Sequence, residues 1–309
     1  MSSIEDAAKS LRDGFLVAFP TETVYGLGAD ATNEKAVSRI FEIKGRPLDH
    51  PVIVHLSSID QIEQWAINVP KYAHTLAEKY WPGPMTLILN RSSRAKDWIT
   101  GGQNTVGIRI PNHEIALSLL EEFRKIGSGA IAAPSANKFG KVSPTSFQHV
   151  QDELSKDLTL QDAILDGGNS AIGIESTIID CTQDQPRILR PGFITNKMIE
   201  ETTGLILSDS ITNIRVSGSF KSHYAPQAKV LLDVEPQSGD GYIALDEFAT
   251  PPNVIRIIAP KNVEEFAQNL YYAFRSADEK KLTRIVVKQP LGGNLALAIR
   301  DRLQKASYD

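Results

Sequence analysis

Between Phe19 and Leu56 the chain sets out hydroxyls, two cations and an imidazole on consecutive element ends. These are the donor types that a site for an anionic, multi-phosphate ligand requires. Thr21 and Thr23 stand in a turn, Pro20 to Gly28, that follows the apolar run Gly14 to Phe19. The amphipathic segment Glu34 to Ile43 delivers Lys44-Gly45-Arg46-Pro47, and the next apolar run, Pro51 to Leu56, carries His55. Lys44 is a point charge and Arg46 a planar fork, so the two suit phosphate oxygens in complementary ways. The threonines offer neutral donors and acceptors that read a small polar ligand. A structural alternative stays open, because cations where a helix ends also favour its dipole.

Further segments have the same character. Arg109 lies inside the apolar strand Val106 to Ile110. If buried it must be paired, either with a ligand carboxylate or with an internal Asp or Glu. Ala132 to Asn137 ends an apolar strand in small and hydroxyl residues, and Ser143-Pro144-Thr145 follows. Small residues let the backbone approach a ligand, and Ser and Asn supply donors, though both are also turn and cap residues. Glu175-Ser176-Thr177 opens another strand, and Arg187 to Gly192 adds further cations. His223-Tyr224-Ala225-Pro226 ends a stretch, residues 213–226, that is poor in large apolar side chains. That stretch is expected to be a mobile lid that orders when nucleotide binds. Deleting residues 213–309 would then remove the lid, and deleting only 228–309 would spare it.

These residues need a scaffold, and the chain alternates short β-rich runs with helical patterns throughout. Strands are predicted at 14–19, 52–56, 85–89, 106–110, 131–133 and 177–180, and helices at 62–66, 71–80, 114–124 and 147–153. The mixture indicates an α/β or α+β fold with one large sheet. From Pro191 to Pro226 the pattern loosens into a linker. Beyond it, strands at 229–234, 241–245, 254–258 and 282–287, with helices at 263–275 and 295–305, predict a small Rossmann-like domain with a largely parallel sheet. That domain lacks a Gly-x-Gly-x-x-Gly turn, so no dinucleotide site is read there.

The sequence has 309 residues, 41% of them hydrophobic and 23% charged, which suits a two-domain globular protein with ample cores. A net charge of -4 argues against a large, uniformly basic nucleic-acid surface. Charges within residues 5–13 break any signal-peptide core, and no apolar run reaches a membrane span, so a cytoplasmic location is expected. One cysteine, Cys181, excludes an internal disulfide and reads as a core thiol. P-loop, nucleophile-elbow, kinase and His/Cys metal-ligand spacings are absent. Phosphate binding would therefore use distributed Lys, Arg, Ser, Thr and Asn donors.

Taken in order, PTETVYGLG, KGRP, HPVIVHL, PGPMTLIL, TVGIRIP, APSAN, GIESTIID, RILRPG and HYAP resemble the L-threonylcarbamoyladenylate synthase family in its long, two-domain form. The resemblance implies a YrdC-like catalytic domain at residues 1–195, built on a large twisted mixed sheet with helices like that of dihydroxybutanone-phosphate synthase. It implies a linker or lid at 196–227 and a small Rossmann-like α/β domain at 228–309. The implied activity is that of a nucleotidyltransferase. L-threonine, bicarbonate or CO2, and ATP become threonylcarbamoyl-AMP and pyrophosphate, and a separate transferase then modifies tRNA next to the anticodon.

By the same resemblance Thr23, His55, Arg109, Ala133 and Ser176 would hold L-threonine, with Arg109 on its carboxylate. Lys44, Arg46, His50, Thr105, Ser135, Asn137, Ser143, Arg190 and Tyr224 would hold ATP, with Lys44 and Arg46 as the catalytic cations. His50 stands where the family often has asparagine, which makes that contact pH-sensitive. Mg²⁺ is expected on the ATP phosphates, with no dedicated protein metal site. The competing reading is a double-stranded RNA or tRNA-binding module without synthase activity.

Overall fold

The computed structural model of the protein describes residues 3–218 and 223–308. Its larger sheet holds β1 (Val17–Phe19), β2 (Gly26–Asp30), β3 (Ile53–His55), β4 (Met85–Asn90), β5 (Thr105–Arg109), β6 (Ile131–Ala133), β7 (Ala163–Ile164), β8 (Thr177–Asp180) and β9 (Arg187–Arg190). Their order is β7-β1-β2-β6-β3-β5-β4-β8-β9. The sheet is mixed: β1/β7, β3/β5 and β4/β8 run parallel, and the remaining pairs antiparallel.

Side-chain alternation along these strands decides where chemistry can occur. Val54 sits opposite Ile108 and Ala132, and all three join the main core with Leu27, Leu87 and Ile179. One residue along, His55 sits opposite Arg109 and Ile131, so those side chains share the other face. That second face is apolar at one end, where Val17, Phe19, Ile131 and Ala133 pack beneath helices Ile4–Arg12 and Glu114–Ile126. Toward β5 and β9 it becomes partly polar, and His55, Arg109 and Arg190 line one cavity there.

Helices Ile4–Arg12 and Asp97–Thr100 and strands β7 and β9 were not predicted, and two further stretches differ from the sequence expectation. Gly26–Asp30, read as the end of a turn, is strand β2 and carries the sheet across to β6. Residues 196–203, assigned to the linker, form helix Asn196–Thr203, capped by the Thr195 side chain. Its Ile199 is buried in the main core, and the Met198 carbonyl accepts a hydrogen bond from the Tyr80 hydroxyl at 3.0 Å. With so few apolar residues in that helix, its periodicity was too faint to read.

The smaller sheet, β10 (Lys229–Leu232), β11 (Gly241–Ile243), β12 (Ile255–Ile258) and β13 (Arg284–Val287), is parallel throughout in the order β10-β13-β11-β12. Helices Val263–Glu279 and Leu295–Ala306 cover the face that carries Val230, Ile243, Ile285 and Val287. Val24, Val142 and Ile174 of the large-sheet unit join this same apolar cluster. Gly173, at φ +81°, comes so close to the helix that a Cβ would lie 2.5 Å from the Gln268 Cα. The two units are therefore packed through a close, specific contact. Among the described residues no helix is long and apolar enough to cross a membrane.

Candidate active site

The polar part of the second face lines a small cavity of about 50 Å³. Arg46, His55, Arg109, Ala133, Ser135, Ser176, Arg190 and Tyr224, all singled out from sequence, are among its walls. Glu175, Ser217, Gly218 and His223 are among the other wall residues. Separate sequence motifs thus converge on one cavity.

Arg109 is 4% exposed, and its Nη2 donates to Thr23 Oγ1 at 2.8 Å. The same nitrogen lies 2.8 Å from Glu22 Oε2, which makes Glu22 the internal carboxylate that the sequence left as an alternative. The pair is in ionic contact without hydrogen-bond alignment: both Glu22 oxygens and Arg109 Nε lack a hydrogen-bond partner among the described residues. Buried polar atoms are rarely left so. A ligand carboxylate can therefore be received by Arg109 only in competition with Glu22.

His55 is 4% exposed, and its Nδ1 faces the Ile53 carbonyl at 3.2 Å. A carbonyl only accepts, so Nδ1 carries the proton and Nε2 is the acceptor. Burial, aided by Arg109, pushes the imidazole pKa down to about 3. His223 is likewise held at about 3, chiefly by burial. Both imidazoles are neutral when folded and near 6.5 when unfolded, so between pH 6.5 and 3 the unfolded chain binds more protons. Stability should fall as pH drops through that window, by about 1.4 kcal/mol per pH unit for each histidine. Urea unfolding from pH 7 to 4 should show this slope, and His55→Gln should flatten it. An unchanged slope in that variant would mean that His55 is not buried neutral.

The cations are held in different ways. Lys44 is on the buried side of helix Glu34–Lys44, and its Nζ donates to the carbonyls of Ser135 (2.6 Å) and Asn137. Burial first, then Arg46, lowers its pKa well below the usual lysine value. In this conformation Lys44 organises the Ser135–Asn137 loop and does not line the cavity, contrary to its expected place on the phosphates. Asn137 also lies behind the wall, with Nδ2 on the carbonyls of Lys138 and Lys141 and Oδ1 unpartnered. Arg46 is 8% exposed and gives Nη2 to the Pro51 carbonyl (2.9 Å) and Ser217 Oγ (3.1 Å), while its Nε has no partner. Arg190 binds the Ser176 carbonyl through Nε (3.1 Å) and the Ser217 carbonyl through Nη1 (3.0 Å). Two guanidiniums thus latch one linker residue, Ser217.

Thr105 stands apart. Arg109 ends β5 and Thr105 begins it, so about 13 Å of strand separates them. Thr105 lines a second small cavity that shares Ile53 and Ser217 with the first. His50 sits beside the Phe139 ring at 5.3 Å, outside the main cavity wall, with its pKa lowered by burial and by Arg46. Ser143 also lies off the wall and donates to Glu175 Oε1 at 2.6 Å.

The part of the lid that is described is packed against the site, and residues 219–222 lie outside the described residues. Tyr224 is 1% exposed, and the space that a Gly218 side chain would take holds its hydroxyl. The ring stacks on Tyr271 at 5.7 Å, and Arg302 lies 5.5 Å over its face. Tyr271 and Arg302 belong to the small-sheet unit, so deleting 228–309 removes the seat of Tyr224. The expectation that this cut spares the lid does not hold.

Residues 9–192 match the family model described as telomere recombination, for Sua5, YciO and YrdC proteins. Residues 194–307 match the model described as the C-terminal domain of threonylcarbamoyl-AMP synthase. The threonylcarbamoyl-AMP synthase of Pyrococcus abyssi is 40% identical, covering 98% of this chain and 94% of its own. That of Bacillus subtilis is also 40% identical, over 98% of this chain and 92% of its own. The crystal structure of P. abyssi Sua5 complexed with L-threonine has a TM-score of 0.88 at 40% identity, with 98% of this chain and 94% of that chain covered. With one model on each unit and relatives matched almost end to end, the chain belongs to the Sua5-type threonylcarbamoyl-AMP synthase family.

Proposed function

We propose that this chain condenses L-threonine, bicarbonate or CO2, and ATP into threonylcarbamoyl-AMP and pyrophosphate. The observation that carries the reading is that four residues lining one cavity hold unpartnered buried polar atoms (Arg46 Nε, Arg109 Nε, His223 Nδ1 and the Tyr224 hydroxyl), with the unpartnered Glu22 carboxylate against Arg109. Native interiors seldom leave such atoms bare, so they are suited to a polar ligand.

L-Threonine fits the end of the cavity where Arg109, Thr23, His55 and Ser176 meet. Arg109 receives the carboxylate, and His55 Nε2 accepts a hydrogen bond from the substrate amine or hydroxyl. The neutral amine adds CO2 to give a carbamate, and a carbamate oxygen attacks the α-phosphorus of ATP while pyrophosphate leaves. Arg46 and Arg190 offset the charge that builds on the leaving phosphates. To reach them, phosphate oxygens must displace Ser217, so nucleotide binding and movement of the linker are coupled. The 50 Å³ cavity points the same way, because a nucleotide requires several hundred. The second, still smaller cavity at Thr105 adjoins Ser217, so movement of residues 215–217 would open both.

Mg²⁺ is proposed to accompany ATP, screening its phosphates. Among the described residues no group of three or more His, Cys, Asp or Glu is placed to hold a metal ion. The product would pass to the transferase that modifies tRNA.

The reading requires a hydroxyl-selective amino-acid site. Replacing L-threonine with L-valine strands the polar groups that read the hydroxyl, so pyrophosphate release should drop roughly 10- to 100-fold in kcat/KM. Equal rates with the two amino acids would overturn the threonine assignment.

A further inference from the structure

We propose that Arg302 and Tyr271, from the two helices of the small-sheet unit, are positioning residues of the synthase site. They fix Glu175 in the cavity wall and seat Tyr224 for nucleotide binding. The inference rests on the proposed place of Tyr224 over the nucleotide.

Arg302 is fully buried, an unusual position for a guanidinium unless its donors are matched. Its Nε donates to Glu175 Oε2 at 2.9 Å, and its Nη1 to the Pro191 carbonyl at 3.0 Å and to Asp301 at 2.7 Å. The Tyr271 hydroxyl, also fully buried, lies 3.1 Å and 2.9 Å from the two oxygens of Glu175. Ser143 supplies the remaining bond to Oε1. Glu175 lines the cavity, yet its acceptors are taken up by protein donors. It therefore acts as the clasp joining the two units at the site. Burial alone would raise its pKa, but Arg302, then Arg190 and Ser143, outweigh burial and keep it ionised.

Two consequences reach the substrate. Ser143 spends its only proton on Glu175, so toward a ligand it is an acceptor; it suits a ribose hydroxyl or an adenine amine better than a phosphate oxygen. The Tyr224 ring contacts both the Arg302 guanidinium and the Tyr271 ring, and both belong to the same network. Val24 and Ile174 flank the site on the apolar side of this contact and anchor its loops to the same helices. Disturbing the clasp should therefore act on nucleotide binding and leave the threonine end, built on β3 and β5, largely as it was.

The test compares the full-length protein with Tyr271→Phe, Arg302→Met and Arg302→Met/Glu175→Gln, measuring pyrophosphate release with ATP and threonine varied separately. Tyr271→Phe keeps the ring and removes only the hydroxyl, so it should fold. It should raise the ATP KM three- to tenfold and change the threonine KM less than twofold. Arg302→Met should raise the ATP KM more than tenfold, and the added Glu175→Gln, which discharges the stranded carboxylate, should recover at least half of that loss on a logarithmic scale. Unchanged ATP KM in Tyr271→Phe, or equal rises in both KM values, would overturn the proposal. Should the unaltered protein release no threonine-dependent pyrophosphate, the proposed function fails first, which is a distinct result.

Discussion

Arg46→Ala is expected to lower kcat/KM for ATP by roughly 100- to 1,000-fold, which corresponds to about 3–4 kcal/mol of lost transition-state stabilisation. Arg46 lines the cavity, is 8% exposed and has a bare Nε, so its charge acts in a water-poor setting where Coulomb interactions are strong. Burial brings its pKa down only to about 10, so it is still a cation at neutral pH. Arg46→Lys should restore a minor part of the loss, because an ammonium keeps the charge and forfeits the fork. Steady-state pyrophosphate release with ATP varied at saturating threonine gives the ratio directly. A change below threefold in the alanine variant would remove Arg46 from the reaction.

Arg109→Ala should raise the threonine KM about 100-fold, equivalent to roughly 2–3 kcal/mol for a charged contact, and leave the ATP KM within threefold. The ion pair with Glu22 complicates a single substitution, since the variant strands a buried carboxylate. Arg109→Ala/Glu22→Gln separates the two causes. If Arg109 receives the substrate carboxylate, the double variant has the same weak threonine affinity; if Arg109 serves only to neutralise Glu22, threonine affinity returns. Isothermal titration with threonine in both variants distinguishes these results.

Much of this was legible in the sequence because motif and strand end coincide. A hydroxyl turn after β1, Lys44 and Arg46 about the end of helix Glu34–Lys44, and an arginine within a strand were visible from local pattern. What escaped was set by partners far along the chain. Lys44 shares the buried helix face of Ile40 and Phe41, and the carbonyls that receive it, Ser135 and Asn137, lie some ninety residues away, beyond the reach of local pattern. Glu22 sat in plain view between two threonines, but only the fold shows that it faces Arg109.

Arg302 left the clearest unread signal. It occupies the apolar stripe of the last helix with Leu295, Ile299 and Ala306, at spacings of four, three and four, where a charge demands a buried partner. Thr105 belongs to the same strand as Arg109, and strand geometry places the two at opposite ends, which suits their assignment to different substrates.

The central claim is that one cavity joins three substrates, and carbon-labelled bicarbonate tests it most directly. With ATP, L-threonine and labelled bicarbonate together, the label should appear in a threonylcarbamoyl-AMP product in equal amount to the pyrophosphate released. Leaving out either threonine or bicarbonate should stop both. Pyrophosphate released at the full rate without threonine, or in its presence with no label joined to AMP, would contradict the account.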